Sequence, residues 1–505
     1  LYLVARRDIG GPFDSGDAEG TLAEKQQAYQ LAYWSRPKRT ALYRIDREQR
    51  AIEHLFDLPS AGDTAFPSVR RTGKHTFLIA NYTSPPETPD ISWRQGQASV
   101  DEDNLDADGG IDLVHLESLL EDPRYQGRMR IGSFSAASNV TGMRTPVREI
   151  AALLHAHDAL ACFDYAASAP YVEIDMNPEP GRYPGDASLD AVFISPHKFL
   201  GGPGSSGVLV FNERLYHPEL PPSVSAGGTV DYVGPDSEDF IVDIEEREKA
   251  GTPGVLQTLK AGLAFQVKDA IGVDTIEARE HELVARTFAR WRDNPRIDIL
   301  GNPDAARRIA IVSFNIRDPH GKFLHPKFVT TLLNDLFGIQ SRAGCSCAGP
   351  YGHRLLAIDH DTSEKYRDWI NKGFCGIKPG WCRVSLHYAM DDIEVGYILD
   401  AIDFVAAHGH RFLPLYNFDM HTGAWLHKSD SVELEGFSLD AALRCEGARA
   451  RALSEGERRH LYRAYLDEAA RLATDLADPA SPRWHRVTDE LEELKFFSVP
   501  EESVG

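Results

Sequence analysis

One lysine, Lys198, stands in "SPHKFLGGPGSSGVLVF" (residues 195–211), between a short apolar run and a string of glycines. A solvated surface lysine needs no such setting, whereas an amine that must meet a bound group does. Asp164 closes the preceding apolar run, "ALACFDYA", and Asn139 follows the one before it, "RMRIGSFS". Gly202, Gly204 and Gly207 spell G-x-G-x-x-G, but the dinucleotide fingerprint requires a helix directly after its glycines. "VLVF" stands there instead, a strand, and the fingerprint fails on context.

An amine paired with a carboxylate fits pyridoxal 5'-phosphate better. That cofactor needs a lysine for a Schiff base, an acid facing the pyridinium nitrogen, and donors for its phosphate. Lys198 supplies the amine and Asp164 the acid. Ser195 and His197 flank the lysine as candidates for the phosphate and the ring. Glycines after the lysine let the backbone approach closely. Taken singly, Lys198 reads as a strand-end surface residue and Asp164 as a turn residue; their joint placement favours the cofactor.

The elements that must position these residues alternate. Residues 128–135, "ALACFDYA" and "DAVFISPH" are short apolar strands, as in a sheet covered on both faces. Between the first two, "TPVREIAALLHAHD" predicts a helix with Thr145 as N-cap and Pro146 at the first helical position. Its apolar face is Val147, Ile150, Ala151 and Leu154. This βαβ rhythm predicts a parallel sheet, with Asn139, Asp164 and Lys198 at the carboxyl ends where ligands bind. "GVDTIEAREHELVARTFARW" predicts a long connecting helix. We divide the chain into an N-terminal segment 1–75, a large domain 76–284, a smaller α+β domain 285–410 and a helical C-terminal extension 411–505. The clearest helix of the extension starts at Ser454, with Glu457 completing a capping box.

The bulk numbers exclude several classes. A net charge of −22 over 505 residues argues against nucleic acid as the main partner. No apolar run approaches the roughly 20 residues of a membrane span, and no signal peptide is visible, so no membrane is expected and the cytoplasm is. The chain begins at Leu1, and the N-terminal segment is expected to be incomplete. Six cysteines make neither a disulfide framework nor a zinc pattern, and no metal is expected. Cys162 and Cys382 lie in apparent strands and read as core.

"SFSAASNVTG", "CFDYAASAPY", "DAVFISPHKFLGGPGSSGVLVF", "AGTPGVLQTLKAGLAF" and "SRAGCSCAGPYGH" stand in the order seen in class V aminotransferase-fold enzymes. Over roughly residues 76–410 the chain resembles the cysteine desulfurase-like members most. The resemblance implies an α/β protein of the PLP-dependent transferase fold type I, with a mainly parallel sheet and a smaller α+β domain. It also implies a homodimer with active sites at the subunit interface. Carried over by position, Lys198 matches the Schiff-base lysine, Asp164 the pyridinium partner, and Asn139 an asparagine beside cofactor and substrate. Ser195 and His197 match the residues near the phosphate, and Thr252 a threonine that reaches the neighbouring subunit's phosphate. Arg383 matches the arginine that clamps the substrate carboxylate, a task suited to a bidentate guanidinium.

"SRAGCSCAGP" bears on the reaction. Arg342, Gly344 and Cys347 match an R-x-G-x-x-C pattern that carries the nucleophilic cysteine of desulfurases, and Arg342 would help by favouring the thiolate. The other readings of Cys345 and Cys347 are buried small residues or a soft-metal pair. The expected activity is removal of sulfur from L-cysteine, leaving a persulfide on Cys347 for a sulfur-acceptor protein. Another PLP reaction (lyase, epimerase or aminotransferase) and a non-catalytic binding protein stay open. Three departures bear on them: Ala167 replaces the usual glutamine, no ring-stacking histidine is found near residues 81–93, and no phosphate-binding turn is found near 60–75.

Overall fold

The computed structural model describes the backbone of five strands within residues 2–82. It describes residues 105–106, 108–125, 127, 129–346, 348–429, 452–479 and 488–500 more fully. The chain forms two compact units, residues 1–101 and 102–505. In the first, β1 (Tyr2–Asp8), β2 (Lys38–Asp46) and β3 (Ala51–Asp57) make an antiparallel sheet in that order. There β4 (Ala65–Gly73) and β5 (Thr76–Tyr82) make a hairpin with Gly73 opposite Thr76. A domain boundary at 75/76 would cut this hairpin at its tip. The apolar stretch "TFLIANY" pairs locally with the strand before it, so it belongs to the first unit and not to the large domain.

The second unit opens with α1 (Leu113–Glu121), capped by the side chain of Asp112. Then come β6 (Arg130–Ser135), α2 (Val147–Ala156), β7 (Ala159–Asp164), β8 (Ala191–Ile194) and β9 (Val208–Phe211). They form a sheet ordered β6-β7-β8-β9, parallel across the first two pairs and antiparallel at β9. Helix α2 is the expected crossover and buries Ile150, Ala151 and Leu154. Thr145 is not its cap: the hydroxyl donates to the Ser135 carbonyl at 2.5 Å, and the helix begins one residue after Pro146. The connection from β7 to β8 carries no helix, because Pro170, Pro178, Pro180 and Pro184 interrupt it. Asp190, fully buried, ties the strands together instead, accepting from the Ala161 amide at 2.8 Å and pairing with His155 and Arg214.

Two long helices follow, α3 (Val255–Ile271) and the expected connector α4 (Val273–Trp291). Next are β10 (Ile297–Ile299), β11 (Ile311–Ile316), β12 (Phe323–Leu324), α5 (Pro326–Phe337), β13 (Arg342–Gly344), β14 (Trp381–Ser385) and α6 (Asp392–His408). Strands β10-β11-β14-β13 form a wholly antiparallel sheet. Its core packs Leu283, Phe288 and Trp291 of α4 against Val312 and Phe314 of β11 and Phe328 of α5.

The C-terminal stretch is more than helices. It holds a hairpin of β15 (Tyr416–Asp419) and β16 (Ala424–His427), then α7 (Glu455–Asp475), α8 (Asp489–Leu494) and β17 (Phe497–Ser498). The Ser454–Glu457 capping box starts α7 as its sequence predicts. Strand β17 pairs in parallel with β12, and Ala469, Leu491 and Phe497 join the same core as β11 and α5. The stretch therefore completes the smaller sheet domain.

His325 sits at that junction, buried, with ring centroids of Phe497 and Phe418 at 4.5 and 5.4 Å. Its Nε2 donates to the Gly376 carbonyl at 3.1 Å, while Nδ1 accepts from the Lys327 amide at 3.1 Å. The ring is therefore neutral with Nδ1 bare, and burial pushes its pKa down to about 3, with nearby Lys327 adding to the shift. The unfolded chain takes up this proton near pH 6.5 and the folded chain only near 3. Stability is thus fully present above about 6.5 and falls with decreasing pH across that window, by at most about 1.4 kcal/mol per unit for one proton. Urea denaturation between pH 7 and 5 should show this slope, and the His325→Asn variant should lose it; equal slopes in the two proteins would refute the assignment.

Candidate active site

The ladder of the parallel sheet sets the register of the site. Ser135 pairs with Asp164 across β6 and β7, and Asp164 with Phe193 across β7 and β8. The pairing runs off the strand ends: the Ala136 amide donates to the Asp164 carbonyl at 2.8 Å, and the Tyr165 amide to Phe193 at 2.9 Å. Strand β8 ends at Ile194, and Pro196–Lys198 form one 3-10 turn closed by the Lys198 amide on the Ser195 carbonyl. Phe199 anchors that turn, 3% exposed, against Phe265 of α3 with ring centroids 4.9 Å apart. At Gly202 the chain folds back so tightly that a Cβ would stand 1.9 Å from the Pro196 carbonyl. This glycine is required by the turn that presents the lysine, whatever the G-x-G-x-x-G spelling suggests.

Asp164 is exposed at its strand end and accepts a hydrogen bond from the Ala166 amide at 2.7 Å. No hydrogen bond among the described residues occupies Lys198 Nζ. The pKa of this amine is held below that of an ordinary lysine by partial desolvation first, opposed by the charge of Asp164 and reinforced by Arg383 and Arg342. Lys198, Asp164, Arg383 and Arg342 thus share one electrostatic environment.

The two arginines face each other directly: Arg342 of β13 is the cross-strand partner of Arg383 in β14. Like charges opposite one another destabilise a strand pair. Burial, then Arg342, lowers the pKa of Arg383. Such a pair is suited to an anion between or above the guanidiniums, and a carboxylate is the ligand their fork geometry matches. Arg383 Nη1 also donates to the Asn139 carbonyl at 2.7 Å, and Asn139 Nδ2 to the Ser346 carbonyl at 3.0 Å. Ser195 is half-buried and His197 exposed beside the lysine, while Thr252 is exposed in the bend before α3. Cys347 lies outside the described residues, as do the side chains of residues 60–84.

Several neighbours escape a reading by motif. Tyr171, Tyr388 and His387 form an aromatic cluster with centroids 4.0–6.3 Å apart, and the charge of Arg383 acts on Tyr171. Burial pushes the Tyr171 hydroxyl far up. Lys268 of α3, itself buried, fixes the segment after Asp164 by donating to the Ala169 and Val172 carbonyls at 2.7 and 2.6 Å. Ala167 packs against the core of the parallel sheet, where a glutamine would offer an amide. Among the described residues one trio, Glu117, Glu121 and His157, has metal-ligand spacing, on the surface with no second sign of a ligand.

A parallel α/β sheet with an amine and a carboxylate on adjoining strand ends, and an arginine on a second sheet, defines the class of protein. The chain belongs to the class V aminotransferase family, whose model matches residues 91–398. It is 30% identical over 246 residues to a probable cysteine desulfurase of Halalkalibacterium halodurans, which covers 49% of this chain and 54% of that protein. It is 32% identical over 251 residues to probable cysteine desulfurase 2 of Mycobacterium leprae, covering 50% and 54%. The chain therefore spans about half the length of the curated relatives it matches. Among solved structures, the apo cysteine desulfurase of Thermococcus onnurineus NA1 is 25% identical with a TM-score of 0.48, covering 60% of this chain and 64% of that one.

Pyridoxal 5'-phosphate is the cofactor of this family. The donor set fits its ring: an amine with a lowered pKa lies within the electrostatic reach of a strand-end carboxylate and of two paired guanidiniums. For the phosphate the described residues offer Ser195 and His197. Peptide-resolved acylation of lysines across a pH series should place the midpoint of Lys198 below that of a surface lysine. Asp164→Asn should move the midpoint further down and Arg383→Gln should move it up. Shifts in the same direction, or none, would show that these charges do not meet at Lys198.

Proposed function

We propose that the chain is a pyridoxal-phosphate-dependent cysteine desulfurase, converting L-cysteine to alanine and leaving the sulfur as a persulfide on Cys347. The observation that carries this reading is the cross-strand pairing of Arg342 with Arg383, both of whose charges, with that of Asp164, act on Lys198, joined to the R-x-G-x-x-C sequence that ends at Cys347. The names of the relatives support it. When bound, the cofactor acts as an electron sink for the substrate Cα, with its ring nitrogen kept protonated by an acid.

The chain's own residues do the rest. Arg383 holds the substrate carboxylate, and Asn139 and Arg342 line the same place. The lowered pKa of Lys198 keeps a larger share of the amine neutral, able to take the Cα proton as a general base. The Cys347 thiolate attacks the substrate sulfur. An S–S bond forms and the Cβ–S bond breaks with its electron pair kept by the carbon skeleton; one proton at Cβ and one returned to Cα then give alanine. An acceptor protein bearing a thiol then takes the outer sulfur.

We also propose a homodimer, with Thr252 reaching the second subunit's phosphate site. Helix α3 supports it: Leu256, Leu259 and Leu263 are 60–77% exposed along one face. No helix among the described residues is long and apolar enough to cross a membrane. Unpaired thiols at Cys162, Cys345, Cys375 and Cys382 fit the cytoplasm.

The test is incubation with pyridoxal phosphate and L-cysteine, measuring alanine and the protein's visible absorption. The wild type should show a band that cysteine shifts, and should form alanine. Cys347→Ala should keep the shift and lose at least 100-fold in alanine formation, while Lys198→Ala should lose both. Alanine formation unchanged in Cys347→Ala, or a band indifferent to cysteine, would assign another amino substrate or reaction.

A further inference from the structure

Asn139 does two things at once. Its carbonyl accepts from Arg383 and its side-chain amide donates to the Ser346 carbonyl. The turn that carries it is fixed. Ser138 and Met143 close it at 2.8 Å, and the Ser313 hydroxyl donates to the Val140 carbonyl at 2.6 Å. Arg308, buried, donates to the Thr141 carbonyl. A Cβ on Gly142 would stand 2.5 Å from the Ile311 carbonyl, so the turn sits hard against β11.

Ser346 is the opposite case. It is a non-glycine residue in the left-handed region, φ +51°, a conformation that persists only where its surroundings impose it. Its side chain is 4% exposed, yet Oγ has no hydrogen-bond partner among the described residues. Preceding it are Gly344, at φ +113°, and Cys345, half-buried beside Val140 and Trp381. The strained residue thus stands immediately before Cys347 and leans on a rigid donor.

We propose that Asn139 is a positioning residue that holds the 344–346 segment in its strained form through the Ser346 carbonyl, tying the thiol-bearing stretch to the carboxylate clamp at Arg383. The functional meaning rests on the desulfurase reading above; the restraint itself does not.

Alkylation by iodoacetamide of the full chain without added cofactor, resolved by peptide mass spectrometry, tests the restraint directly. Exposed Cys375 is the internal reference. Asn139→Ala removes the donor, and Asn139→Leu removes it at nearly constant volume. Both should raise the rates at Cys345 and Cys347 at least threefold relative to Cys375, with the melting temperature unchanged. The rise should appear in the high-pH plateau, since opening a segment changes access, and the pH midpoint should stay in place. Unchanged thiol rates in both variants would overturn the proposal, as would a rise confined to Asn139→Ala, which a cavity alone would cause. Neither outcome depends on alanine formation. A chain that failed to desulfurate could still show the rise, and an active desulfurase could lack it.

Discussion

Everything in the site depends on the register of three parallel strand ends. Because Ser135, Asp164 and Phe193 lie abreast, the chain leaving β7 begins with a carboxylate and the chain leaving β8 turns at once into Pro196–Lys198. A one-residue slip of β8 would send Phe193 to the opposite face and carry Lys198 away from Asp164. Buried Asp190 guards against the slip, since its single carboxylate is shared by the Ala161 amide, His155 and Arg214 from three different elements. A buried charge with so many partners holds one register and penalises the others.

The second constraint is electrostatic. Arg342 and Arg383 face each other across two strands, and Lys198 feels both. Three cations and one nearby carboxylate leave an excess of positive charge, which an anionic substrate would relieve. Burial lowers the pKa of the lysine first, Asp164 opposes that shift, and the two arginines add to it, so the pair suited to a carboxylate also acts on the amine. The arginine pair and the lysine therefore form one electrostatic arrangement.

How far this was legible varies with the residue. The placement of Lys198, Asp164 and Asn139 at or just past strand ends could be read because apolar runs mark the strands. Gly202 was legible as a close approach but not in its reason, the carbonyl of Pro196. The opposition of Arg342 and Arg383 was hidden, because pairing between strands 41 positions apart leaves no local signal. Thr145 misled, since a hydroxyl with a competing carbonyl at Ser135 does not cap the helix. The hairpin of β4 and β5 and the packing of Phe497 into the smaller sheet domain were likewise set by pairing and burial that no periodicity announces.

The central claim is that Lys198 is the amine that meets the cofactor. The direct measurement is to incubate the protein with pyridoxal phosphate, reduce it with borohydride, digest it and locate the pyridoxyl label by mass spectrometry. The account predicts the label on Lys198, in near-stoichiometric yield, and greatly weakened in the Asp164→Ala variant. Label spread over surface lysines such as Lys249 and Lys260, or none after reduction, would contradict it.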